Sequence, residues 1–311
     1  MSLNTERNFR KYLKYKAKYL QLKSLQLGGD KGEILQKFLD DLNSATDVTL
    51  KGPFDLKTEL LEKISGALAA NKTLTTLTIS HLPQGSAYQR LIGKELAKGF
   101  PDSLTTLNLI ETNFVNSNKP AFHDSAIEPI LNKLVKIKSL NISGSSLTDS
   151  PVNTIIGDYI EKNKSVITLK LSNCSLGCNN DADINAIAKG LGKNSTIESL
   201  DLSKNCIKKG ADNIGSAIKK NKTLKNLDLS SNGIDNSGVI ELAKGLAENK
   251  TLITLNLDAN VFDFAGAKAL IDAIKKNNTL ETLSIKGMNL EESKLLTELN
   301  DTNKSKILIF K

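Results

Sequence analysis

The sequence predicts an α/β solenoid made by stacking units of one strand and one helix, and three observations lead there. An L-x-x-L-x-[LI] element recurs with its middle leucine at Leu77, Leu107, Leu140, Leu169, Leu200, Leu227, Leu255 and Leu283, spaced 27 to 33 residues apart. A period of this length is the mark of a repeat architecture. Each element alternates apolar and polar residues, as in Leu200-Asp201-Leu202, while the stretch that follows, such as GVIELAKGLAEN from Gly238, has apolar residues at helical spacing. Finally, Asn71, Asn163, Asn194, Asn221, Asn249 and Asn277 fall at predicted helix ends. Asn tolerates the left-handed conformation, so each is expected to stop its helix in that way.

In chain order, residues 1–30 form a basic N-terminal arm and residues 31–311 the repeat domain. In the arm, Phe9, Leu13, Ala17, Leu20 and Leu27 lie near one helical stripe, with Lys11, Lys14, Lys18 and Lys23 around it and Gly28-Gly29 as a stop. A helix from about Gly32 to Asn43 leads into VTLKG, Val48 to Gly52, a degenerate first strand. The eight regular units follow, and KILIF, Lys306 to Phe310, is a degenerate last strand. Atypical ends are expected, since a terminal unit must cover a core with no further neighbour.

Composition narrows the function classes. The chain has 311 residues and 39% apolar content, enough for a sizeable core. It has no apolar run long enough to span a membrane and no signal-peptide pattern, so a cytoplasmic location is expected. Cys174, Cys178 and Cys206 are too few for a disulfide framework and read as reduced thiols. The formal charge of +8 divides into +5 over residues 1–30 and +3 over the rest, so the basicity belongs mainly to the arm. That arm has the composition of a cap, of a membrane-surface helix or of a nucleic-acid contact.

Two catalytic or ligand-binding motifs fail on inspection. GLGKNS, Gly190 to Ser195, lacks the first glycine of a phosphate loop, where Ile187 stands, and has Asn194 in place of Ser or Thr after Lys193. Cys174 and Cys178 have only His81 and His123 as imidazole company, short of a structural zinc set, so no metal is expected. With no hydrolase elbow or metalloprotease motif either, no cofactor and no enzyme activity are expected. The asparagines of the helix ends also begin N-x-[ST] sequons, which capping explains without glycosylation.

The pattern L-x-x-L-x-L-x-x-[NC]-x-[LIF] resembles the leucine-rich repeat over residues 45 to 310, and units of this length with a full helix are similar to the ribonuclease-inhibitor-like class. The resemblance implies a right-handed horseshoe with parallel strands on its concave face and helices on its convex face. Asn205, Asn232 and Asn260 hold the Asn position of that pattern, where the amide is expected to bond backbone inside the turn, and Cys174 takes the same place. Leu82, Thr112, Ser145 and Met288 occupy it elsewhere. Such proteins occur among effectors that amoeba-infecting intracellular bacteria such as Legionella deliver into host cells. The arm is similar in wording to N-terminal segments of proteins from amoeba-infecting giant viruses.

The resemblance places function at the strand positions that the core leaves free. Between the two strand leucines stand Thr78, Asn108, Asn141, Lys170, Asp201, Asp228, Asn256 and Ser284, a polar face that turns acidic toward the C-terminus, with Asp258 beside it. A polar face with local acidity suits a protein partner and opposes phosphate backbones. Two irregular loops add Phe122 and His123, in the insert NFVNSNKPAFHDS, and Phe264, which matches the polar Asn236 while Phe262 matches core Ile207 and Ile234. Phe114 is expected to fill a core site. The expected molecule is a monomeric, non-enzymatic interaction protein whose partner is a protein, an inhibited enzyme by analogy with the class. A membrane-targeted or nucleic-acid-associated scaffold acting through the arm is the alternative.

Overall fold

The computed structural model describes residues 31–51, 58–81, 93–112, 127–145, 147, 150–179, 181–287 and 308–309. The arm, Phe114, Phe122, His123, Leu82 and Met288 lie outside the described residues. Ten parallel strands form one sheet in unbroken chain order. They are β1 Asp47–Lys51, β2 Thr76–Ser80, β3 Thr106–Ile110, β4 Ser139–Asn141, β5 Thr168–Lys170, β6 Ser199–Asp201, β7 Asn226–Asp228, β8 Thr254–Asn256, β9 Thr282–Ser284 and β10 Leu308–Ile309. The helices between them include α1 Lys31–Ser44, α2 Thr58–Ala70, α3 Ile127–Lys133, α4 Ser150–Lys162, α5 Ala182–Lys193, α6 Ala211–Lys220, α7 Asn236–Glu248 and α8 Phe264–Lys276. This is the α/β leucine-rich-repeat solenoid that the sequence predicts, with the degenerate end units present as α1–β1 and β10.

The strand leucines carry the register. Leu77, Leu107, Leu140, Leu169, Leu200, Leu227, Leu255 and Leu283 are successive Cα partners across β2 to β9. All eight are buried. They meet the apolar stripe of each helix, which in α7 is Val239, Leu242, Ala243 and Leu246 and in α8 is Ala267, Leu270, Ile271 and Ile274. Strands sit about 4.8 Å apart whereas packed helices need 8–10 Å, so stacking turns the sheet to the inside of a curve. Glycine lets some helices come closer: a Cβ at Gly245 would collide with the Gly215 carbonyl oxygen.

The helix ends do not work as the sequence predicts. Asn194, Asn221, Asn249 and Asn277 are extended, Asn221 having φ −68° and ψ 139°, and none is left-handed. The side chain does the capping instead. Asn221 Oδ1 accepts from the N–H groups of Thr223 (2.9 Å) and Leu224 (2.7 Å), and its Nδ2 donates to the carbonyls of Leu191 (2.7 Å) and Asn194 (3.0 Å) in the preceding unit. Asn277 repeats this on Leu246 and Asn249, and Asn71 reaches back to Ala45. All six asparagines are buried, which encloses the sequon acceptors. Pro101 and Leu134 hold the same register in the two remaining units, where Ser103 Oγ donates to the Leu74 carbonyl in partial compensation.

Left-handed backbone lies on the other side of the strands. His81, Glu111, Gly144, Asn173, Lys204, Ser231, Ala259 and Gly287, each four residues past the middle leucine, all have φ from 53° to 76°. The conformation turns each N–H toward the next unit, as from His81 to Ile110 O (3.1 Å), Lys204 to Ser230 O (2.8 Å) and Ala259 to Lys286 O (2.7 Å). The strand ladder thereby continues past the last strand residue.

A second asparagine ladder lies inside these turns, as expected. Asn205 donates to the carbonyls of Leu171 and Leu202 and accepts from Cys174 N and Leu176 N. Asn260 does the same with Leu229, Leu257, Asn232 and Ile234. In the earlier units Thr112 and Ser145 hydroxyls pair at 3.1 Å in its place.

The reading of three reduced thiols is corrected: Cys178 and Cys206 form a disulfide between neighbouring turns, with their Cα atoms 4.8 Å apart. Cys178 lies nine residues past Leu169 and Cys206 six past Leu200, so the pair is out of register in sequence; the Cys206 N–H to Leu176 O bond (2.8 Å) draws the two turns together. Closing a 28-residue separation is worth up to about 3–4 kcal/mol in the chain-entropy picture. Reductant is therefore expected to lower the urea midpoint, and Cys206→Ser to abolish that response; an unchanged wild-type midpoint would show that the cross-link contributes nothing. Only Cys174 is free among the described cysteines, and burial pushes its thiol up to about 12, which makes it an inert core residue.

Asp183 underpins the same loop. It is 2% exposed, and it accepts from Gly177 N (2.9 Å) and Ile184 N (2.8 Å). Burial raises its pKa despite those bonds. A raised folded-state pKa means that the folded state takes up the proton more readily than the unfolded one. The stabilising contribution is thus complete below the ordinary carboxyl range and fades as pH climbs through the raised value. Asp183→Asn should flatten the fall in stability over that interval, read as urea midpoints across pH; an identical slope in wild type and variant would contradict the assignment.

Candidate functional site

Strand alternation decides which side chains leave the core. With the leucines turned toward the helices, the residue between them faces the inner side of the curve. Asn108, Asn141, Lys170, Asp201, Asp228, Asn256 and Ser284 are Cα partners in one unbroken column that begins at Thr78. Lys170 is exposed and the others are half-buried. Asp201 and Asp228 are direct partners, about one strand spacing apart.

These polar side chains also serve the fold, which the sequence reading missed. Asp201 Oδ1 accepts from Ser203 N (2.9 Å) and Ser203 Oγ (2.7 Å), and Asp228 repeats the bonds with Ser230 at 2.9 and 2.7 Å. Asn141 and Asn256 accept from the N–H two residues on, at 3.0 Å each. Each of these bonds joins the last residue of its strand, in β4, β6, β7 and β8, to the backbone two residues on and so braces the turn. Across the column, Asn108 Nδ2 donates to Thr78 Oγ1 (2.9 Å) and Asn256 Nδ2 to Asp228 Oδ2 (3.0 Å). Asp258 sits one column over, where its Oδ1 accepts from Ser284 Oγ and Lys286 N. The acidic patch is thus a held network with fixed oxygens.

The loop aromatics divide. Phe262 is buried, matching Ile207 and Ile234, and Phe264 is half-buried against the core at the start of α8. The exposed apolar side chain on that loop is Val261, at 67% exposure, which the sequence reading passed over. It lies between Asn260 of the turn ladder and core Phe262. The left-handed row adds exposed groups on the same rim, including His81 and Glu111, whose Nε2 and Oε2 are 2.9 Å apart on adjacent turns. Among the described residues no group of three or more His, Cys, Asp or Glu is placed to hold a metal, and no helix is long and apolar enough to cross a membrane.

Comparison with known proteins fits this architecture. A leucine-rich repeat family model matches residues 193–210 and 220–243. No curated protein matches the chain. Among solved structures, a chain of the yeast Rad7–Elc1 complex is similar at 16% identity and a TM-score of 0.51, over 89% of this chain and 70% of that one. A Bacteroides fragilis protein is similar at 14% identity and a TM-score of 0.45, over 89% and 68%. The leiomodin-1 actin-binding site 2 structure gives 19% identity and a TM-score of 0.42, over 50% and 87%. The chain carries leucine-rich repeats and folds as an α/β leucine-rich-repeat solenoid.

Proposed function

We propose that this solenoid is a non-enzymatic protein-interaction module that binds one protein partner along its inner sheet face and strand-to-helix loops. The observation that carries the reading is the column from Thr78 to Ser284: eight polar side chains in continuous register on a parallel sheet whose core lies wholly behind them. Analogy with the ribonuclease-inhibitor-like class adds the finer proposal that the partner is an enzyme whose active site is covered. Leucine-rich repeat proteins generally act as scaffolds. An effector role in the cytosol of a host cell is the setting proposed with it, although the Cys178–Cys206 disulfide favours at least intermittent oxidation, since such bonds are rare in that compartment.

Asp228→Lys tests the face. Lys170 already stands in this register, so a lysine fits the strand, at the loss of the Asp228 bonds to Ser230 and Asn256. Association with an isolated partner should slow and lose salt dependence. Val261→Ser should mainly speed dissociation, because it removes an exposed apolar contact without touching the core. Phe264→Ala is the poorer probe, as its contact with the core mixes stability into binding. Wild-type rates for both Asp228→Lys and Val261→Ser would remove the C-terminal inner face from the interface.

A further inference from the structure

We propose that the helix-to-strand edge of the solenoid docks on an anionic lipid surface. Two rows of residues define this edge, five and seven positions before each middle leucine. The first reads Lys72, Asp102, Val135, Lys164, Ser195, Lys222, Lys250 and Asn278. In the second row, Lys133, Lys220 and Lys276 are exposed. The buried asparagines fix the geometry, because Asn71, Asn163, Asn221 and Asn249 each immediately precede a lysine of the first row and are bonded to the unit before.

The charges on this edge do not cancel. Its two acids are engaged, Asp102 with Lys136 at 3.0 Å and Glu248 with Lys219 at 2.8 Å. Lys162 and Lys193 are paired with Asp158 and Glu161. Lys72, Lys133, Lys164, Lys220, Lys222, Lys250 and Lys276 have no carboxylate partner among the described residues, and all seven are exposed. Lysines in the last helical turn complement the helix dipole, which accounts for the second row. The first row lies beyond the caps and has no such duty.

The chemistry of the edge favours a bilayer over nucleic acid. Recognition of a nucleic acid draws on forked arginines and stacking aromatics, and no described residue is an arginine. Point charges spread along one edge of the solenoid suit an extended anionic surface, where each lysine adds roughly fivefold in affinity. Val135, in the first row beside Lys164, is 71% exposed and offers an apolar side chain to the interface. The surface is distinct from the inner sheet face, so a protein partner and a membrane could be held together.

The full chain should sediment with phosphatidylcholine vesicles that contain phosphatidylserine, not with phosphatidylcholine alone, and high salt should release it. Changing Lys72, Lys164, Lys222 and Lys250 together to Ser places at each the residue native at Ser195, so folding is retained and the melting temperature serves as the check. Affinity should fall on the order of a hundredfold or more. The chain has no tryptophan, so Val135→Trp provides a single reporter whose emission should shift to the blue on the anionic vesicles. Unchanged vesicle affinity in the four-lysine variant, an unshifted Val135→Trp, or binding of duplex DNA with none to vesicles would each overturn the proposal.

Discussion

Replacing Asn221 with Ala is expected to destabilise the protein by about 3–5 kcal/mol, although it removes only a small polar side chain. Asn221 is 1% exposed and is bonded to four backbone groups in two units. Alanine leaves Leu224 N and Asn194 O buried without that partner, deprives the half-buried Thr223 N of it and leaves Leu191 O only its bond from Asn194 N, and each buried unsatisfied group costs about 1–3 kcal/mol before relaxation. Asn221→Leu separates the amide from its bulk, since Leu134 fills this register naturally. A urea midpoint for Asn221→Leu within about 1 kcal/mol of wild type would show that filling space, not satisfying backbone, is what the position requires.

The second large effect is Leu227→Ala, with an expected cost of about 2–5 kcal/mol. Leu227 is 1% exposed and lies between Leu200 and Leu255 in the sheet, with units on both sides that cannot collapse into the space. Truncation therefore loses transfer energy and leaves a cavity. A loss under about 1 kcal/mol would place this leucine outside the core.

Much of the fold was legible because the repeat states its own register. Every strand leucine read from the period lies where the sheet puts it, and Phe262 takes the core site of Ile207 and Ile234. What sequence could not give was conformation without a residue signature. The left-handed row is filled by His81, Glu111, Asn173, Lys204, Ser231 and Ala259 as readily as by Gly144 and Gly287, because inter-unit hydrogen bonding imposes it. Asparagine was expected to be the left-handed residue, whereas its side chain reaches back to the unit before. The disulfide was hidden for a related reason: its two cysteines are not equivalent in the repeat and meet only through the offset of their loops.

The candidate surface was legible as a list and not as chemistry. Period-2 alternation placed Asp201 and Asp228 on the inner face. It gave no hint that each commits an oxygen to its own turn, through Ser203 and Ser230, because that bond depends on the chain bending two residues later. Phe264 was read as an anchor from residue type, while exposure falls to the plainer Val261.

The central claim is that partner binding lives on the inner sheet face, whose polar side chains also brace their own turns. The most direct measurement compares proteins captured from a cell lysate by three full-length baits: wild type, a combined Asp201→Lys and Asp228→Lys variant, and Asp272→Lys on the exposed side of α8. Quantitative mass spectrometry should find one protein enriched by wild type and by Asp272→Lys and lost from the double variant, with all three baits shown to be folded by circular dichroism at the capture temperature. Retention of that protein by the double variant would contradict the claim.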